Sequence, residues 1–194
     1  MTEETNKTTS QLYRDLFKRL WLFIIHPAEG WAEVYGEKKS LNAILTDFVL
    51  PLMALCALTT FVGFVFNHQG FSLELALKRA TVIFIALFGG LYLAYFILSY
   101  VLSAEMGKND VFALSAYSSG LGYVVVLITS VVPEFLMANL FIFYAAYIIW
   151  FGVQRYLSKA EMNRRVWLTV FLFVLIHLLP CLIYYSLLKL VVYV

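Results

Sequence analysis

Charge is what this chain has least of. Only 13% of its 194 residues are Asp, Glu, Lys or Arg, roughly half the share of an ordinary soluble domain, which excludes that class. The net charge of +2 is too small for a nucleic-acid binder. Cysteine is scarce too. Cys56 and Cys181 both sit in apolar runs without local ligand spacing, so neither a disulfide framework nor a metal site is expected, and both read as small side chains packed between helices. No acidic cluster suggests a metal-dependent transferase, and no glycine-rich phosphate loop opens a helix. No cofactor is expected. With 194 residues, little remains beyond the apolar runs, so a separate soluble catalytic domain has no room.

What the chain does have is apolar length. It is 62% hydrophobic with a mean hydropathy of +0.84, the signature of an all-α integral membrane protein. Five runs are long enough to cross a hydrocarbon core of ~30 Å: about 41–66, 76–103, 111–132, 134–157 and 166–193. Short connections predict that consecutive spans are antiparallel neighbours. Residues 1–9 are polar, lack a basic stretch followed by an apolar core, and read as a disordered tail instead of a signal peptide. Residues 10–40 form a cytoplasmic interfacial segment. In it Leu12, Leu16 and Leu20 share one helical face, with Arg14, Asp15, Lys18 and Arg19 as the polar complement. An amphipathic helix lying in the membrane interface is predicted there, ended by Pro27. A second short helix or turn follows, with Trp31 and Tyr35 at headgroup depth. Residues 41–194 are the five-span domain.

The third span stands out because its first half has no bulky stripe. Ala113, Ala116 and Gly120 share one face, and Ser115, Ser119 and Gly122 another, so two neighbours can approach closely. That predicts a central helix, closed by Pro133. The second span repeats small residues at Ala86, Gly90 and Ala94, and the fourth at Ala138, Ala145 and Gly152. Lys78 and Arg79 are read as snorkelling from the start of the second span. With the leader inside, 11 of the 14 Lys and Arg fall on the cytoplasmic side. This predicts a cytoplasmic N-terminus and an outer C-terminus.

The segment AYSSGLGYVVVLITSVVP at 116–133 resembles the Tyr-small-small…Pro segment of the Yip domain family, the membrane proteins related to the Rab-interacting Yip proteins of eukaryotes. HPAEGWAEVYGE at 26–37 is similar to the start of short bacterial members, and VLPLMAL at 49–55 to their proline-bearing first span. The segment ahead of the first span is short and carries no Asp-Leu-Tyr-Gly-Pro motif. The resemblance therefore implies a bacterial inner-membrane member with no established activity, and not a Rab binder.

Several polar residues fall inside spans. Asp47 lies about 9 Å into the first span by the helical rise. Its site reading is an ion or proton site, with Tyr117 and Ser118 at similar depth to hydrogen-bond it; its bland reading is an interface carboxylate reaching headgroup water. His177 sits near the middle of the last span, where it can relay protons or stay neutral on a backbone carbonyl, such as one freed by Pro180. His26, His68 and His177 lie at different depths and cannot share a metal. Asn139 reads as a bridge between helices. Ser119–Gly120 with the distant His177 superficially resembles an intramembrane serine protease pair, but Tyr117 stands where the first glycine of Gly-x-Ser-Gly belongs. No enzyme is expected. Two functions stay open. One is a scaffold or adaptor that organises lipids, other membrane proteins or a second copy of the chain. The other is a transporter, channel or scramblase with a polar track through Asp47, Tyr117, Ser118, Ser119, Asn139 and His177, opened by kinks at Pro51 and Pro180.

Overall fold

The computed structural model describes residues 9–67 and 72–191 and is helical, with no strand among them. Residues 1–8 and His68, for which a tail and an outer-loop position were expected, lie outside the described residues. Two leader helices come first, α1 (Thr9–Ile25) and α2 (Pro27–Glu37). Pro27 occupies the first turn of α2, where its missing N–H has no helical partner to lose. Five helices long and apolar enough to cross a membrane follow: α3 (Leu41–Asn67), α4 (Leu73–Val101), α5 (Lys108–Val131), α6 (Met137–Tyr156) and α7 (Met162–Val191). The protein is a multi-pass integral membrane bundle.

Caps set the starts of the first two spans. Ser40 Oγ accepts from Ala43 N at 3.3 Å, and Ser72 Oγ from Leu75 N at 3.3 Å. Inside α3, residues Leu45–Val49 form a π turn in which Leu50 N donates to Leu45 O. Pro51 supplies the reason. It has no N–H to give the Asp47 carbonyl, and its ring would crowd that carbonyl in a regular turn. α5 loosens slightly at Ser119, between Lys108–Ser118 and Gly120–Val131, but Ser119 stays right-handed and Ser119 N on Ser115 O and Tyr123 N on Ser119 O carry the helix through.

Each consecutive pair of spans is in contact, α4 also lies along α7, and α5 touches all four other spans. The stretch 111–121 of α5 is buried without interruption, which makes it the central helix. Of the small residues expected at packing faces, Ala86, Gly90, Ala94, Ala113, Ala116 and Gly120 are buried, and Gly122 is half-buried. Gly90 receives Pro180: a Cβ there would meet the ring Cγ at 2.5 Å.

The leader is seated on the bundle. Leu16, Leu20 and Phe23 of α1 turn inward and are buried, whereas Phe17, Trp21 and Ile25 form an exposed apolar stripe at four-residue spacing. That second stripe fits a helix in the interface plane. Trp31 departs from its expected headgroup depth. It is 0% exposed, its Nε1 donates to Ile148 O at 2.8 Å, and its ring fills the slot left by Gly152 on α6. Tyr35, by contrast, is exposed and meets Tyr156 edge-on.

Candidate functional site

Two cavities enter the bundle from opposite ends, and they divide the polar residues between them. The first, about 380 Å³, lies under α1 at the leader end and is bordered by Arg19, Lys39, Asp47 and Tyr117 among others. The π turn carries Asp47 to its wall. Asp47 pairs with Lys39 at 3.3 Å and accepts from Thr46 Oγ1 at 3.4 Å, and its side chain is 37% exposed. Tyr117 borders the same cleft, but the hydrogen bonds envisaged from Tyr117 and Ser118 to Asp47 are not made. A lysine at the interface has reached the carboxylate first.

Arg19 is the most constrained ion here. Burial disfavours its charge, but Glu37 at 2.6 Å, supported by Glu33 at 3.4 Å, outweighs that cost and holds its pKa above the ordinary value. Its guanidinium lies over the Tyr117 ring, 5.8 Å from the centroid. We expect Asp47→Asn to lower stability by no more than ~1 kcal/mol, as for an exposed ion pair. Thermal unfolding in detergent checks this, and a collapse of the fold would show that the carboxylate does more than pair with Lys39.

Behind this cleft the bundle is filled. Phe48 and Tyr117 pack at 4.6 Å between ring centroids, and Phe23 stacks on Tyr117 at 5.3 Å. A Cβ on Gly120 would lie 3.2 Å from Phe48 and 3.3 Å from Leu20, so the absent side chain is what lets these groups close over the third span. Ser115 and Ser119 satisfy their hydroxyls on the carbonyls one turn back, each at 2.9 Å. Ser118 is buried with its hydroxyl unpartnered and borders neither cavity.

The second cavity, about 410 Å³, is bounded by parts of all five spans at the other end. Ser119, Asn139 and His177 border it, so the six candidate residues do not line one track. Asn139 is exposed at the rim and makes no side-chain hydrogen bond among the described residues. His177 Nδ1 is 2.8 Å from Phe173 O, a carbonyl one turn back and not the Ile176 carbonyl that Pro180 leaves free. With Nδ1 donating, the neutral ring presents Nε2 as an acceptor, and that atom is buried without a partner beside Gly122. Tyr123, on the same wall, is buried with its hydroxyl directed to Ser119.

Two features went unrecognised in the sequence. Arg79 was assigned to snorkelling, yet its Nε is buried, its guanidinium lies 5.0 Å from the Phe64 ring centroid, and it borders this cavity. Gly63 was not singled out, yet a Cβ there would lie 1.7 Å from Ser130 O, backbone against backbone. Its signal was present in Thr59 and Gly63, a pair of small residues four apart.

No curated protein and no solved structure matches the chain. A family model described as the Yip1 domain matches residues 21–183, from Trp21 of the leader into the last span. The match takes in α2, the buried Trp31, the π turn, the central helix and most of the residues that line the two cavities, and by it this chain belongs to the Yip1 domain family.

Proposed function

We propose that this protein is a non-catalytic, non-conducting adaptor of a bacterial inner membrane, holding lipids or other membrane proteins around a rigid bundle, with its leader on the cytoplasmic side. The observation that carries the reading is the filled middle. Phe48 and Tyr117, on the wall of the first cavity, pack with Leu20 and Gly120 behind it, and all four are buried. A conducting protein needs polar side chains facing one continuous cavity, whereas here they are split between two. The leader adds a firm platform: Trp31 anchors it, and Phe17, Trp21 and Ile25 face outward beside Arg14 and Lys18. The orientation draws on charge. The leader and the connections after α4 and α6 gather at one end, joined by the Arg164–Glu105 pair, by Leu41 N on Asn109 Oδ1 and by Arg155 over Tyr35.

One observation favours the transporter reading instead. Tyr117 borders one cavity and Ser119 the other, only ~3 Å apart along the axis of α5 by the helical rise, so a small shift there would bring the two cavities together. Reconstitution decides between the two. Proteoliposomes with wild type, Asp47→Asn and His177→Ala are expected to show proton, ion and lipid-scrambling rates equal to protein-free vesicles. Flux in wild type that disappears in either variant, with the fold intact, would overturn the adaptor and make that residue part of a pathway.

A further inference from the structure

An adaptor has no evident use for the second cavity. It extends along α4 from Arg79 to Leu91, about 18 Å at the helical rise, so it is a long groove in the half of the bundle away from the leader. Its volume of about 410 Å³ lies in the range of small-ligand sites. Ile83, Leu87, Val126 and Ile176 give it apolar walls. Cys181 and Tyr185 border it and are exposed on the outer face of α7, so the groove opens sideways toward the lipid-facing surface. A hydrocarbon chain can therefore enter without passing through water.

Charge supplies the second half of the argument. Arg79 makes no ion pair among the described residues, whereas its neighbour Lys78 pairs with Glu74 at 2.7 Å away from the groove. Arg79 is half-buried, with a buried Nε that has no protein partner and its guanidinium resting on Phe64 at the edge of the groove. A buried polar group without a protein partner is open to a water or a ligand atom, and a cation at membrane depth favours an anion. Further along the groove, His177 adds a buried Nε2 without a protein partner.

We propose that this groove binds one anionic phospholipid from the leaflet on that side, with its phosphate on Arg79 and one acyl chain lying along α4 toward His177. The guanidinium offers a fork of donors matched to phosphate oxygens, and the apolar walls take the chain. The site does not depend on whether the protein conducts, so its test is separate from the flux measurements.

The full-length protein in detergent is offered phosphatidylglycerol or phosphatidylcholine with identical chains, or oleate, and bound species are counted by native mass spectrometry. Wild type is expected to retain one phosphatidylglycerol with about tenfold preference over phosphatidylcholine, whose own choline cation competes with and repels Arg79 at the shared phosphate, a difference on the scale of one charge-assisted contact. Arg79→Gln is expected to abolish the preference. Arg79→Lys keeps most of it, and Lys78→Gln, the same charge loss one residue away, leaves it unchanged. Equal retention of the two lipids by wild type would overturn the site, and that comparison needs no variant to fold. So would a preference that survives Arg79→Gln, one lost equally in Lys78→Gln, or oleate bound in place of the phospholipid. As a second measurement, maleimide labelling of Cys181 is expected to slow with phosphatidylglycerol and not with phosphatidylcholine. Cys56, fully buried, serves as the unlabelled reference.

Discussion

Gly63→Ala is expected to prevent the bundle from closing. The added Cβ would lie 1.7 Å from the Ser130 carbonyl oxygen and 2.7 Å from its carbon, both backbone atoms of α5 that no rotamer change can move. Overpacking a core commonly costs ~1–3 kcal/mol where side chains can yield; here two helices must separate, and a loss above ~3 kcal/mol is expected. The separation would also strain the contacts that the close approach allows, Thr60 Oγ1 to Ser130 Oγ at 3.1 Å and Asn67 Nδ2 to Val131 O at 3.2 Å. Gly89→Ala is the matched control. Its Cβ would meet only Ile183 Cδ1, at an ordinary 3.5 Å, and it should be neutral or stabilising by up to ~1 kcal/mol, because alanine is the better helix former. Size-exclusion profiles and thermal unfolding in detergent compare the two. Equal stability would mean that α3 and α5 do not cross this closely.

Trp31→Ala is expected to release the leader while leaving the spans assembled. The side chain is fully buried, packs edge-on against Phe23, Tyr117 and Tyr156, and donates to Ile148 O at 2.8 Å. Truncating a buried tryptophan costs ~3–5 kcal/mol, and here the lost contacts join α2 to α5 and α6. α1 and α2 should then exchange amide hydrogens and admit protease sooner than wild type, with protection of α3–α7 little changed. Trp31→Phe, which keeps most of the ring contacts and loses the hydrogen bond, should lie between. If exchange in the leader did not change, Trp31 would be a passenger and the platform invoked for the adaptor would lose its support.

The residues most readable in the sequence were those whose role is local. Ser40 caps because its side chain reaches a donor three residues on, Pro27 starts α2 because its φ is already helical, and the 111–121 stretch is small enough to be central whatever surrounds it. Ala86, Gly90 and Ala94 could be assigned to one face by periodicity, but not Pro180 as the group that face receives. The environment of Asp47 depended on Lys39, whose ammonium is brought to it by the turn between α2 and α3, with Lys38 in the left-handed region at φ 46°. Trp31 misled for a related reason. Tryptophan at the edge of an apolar segment suits the headgroup layer on chemistry alone, and the slot at Gly152 that claims it lies 121 positions along the chain.

By itself, then, the sequence determined the class, the five long apolar helices, the helical start of the leader, the small-residue faces of the second and third spans and the family, because hydropathy, helical periodicity and motif are properties of neighbouring residues. Only the tertiary structure decided which apolar residues meet protein and which meet lipid. Lipid tails are as apolar as leucine, so both surfaces are built from the same side chains and hydropathy cannot separate them. Hence Phe17 and Phe23 of one helix part company, one exposed and the other buried. The division of the polar residues between two cavities was decided at the same level. So was the placing of Arg79 over Phe64, because each depends on which helix stands opposite and how closely it packs.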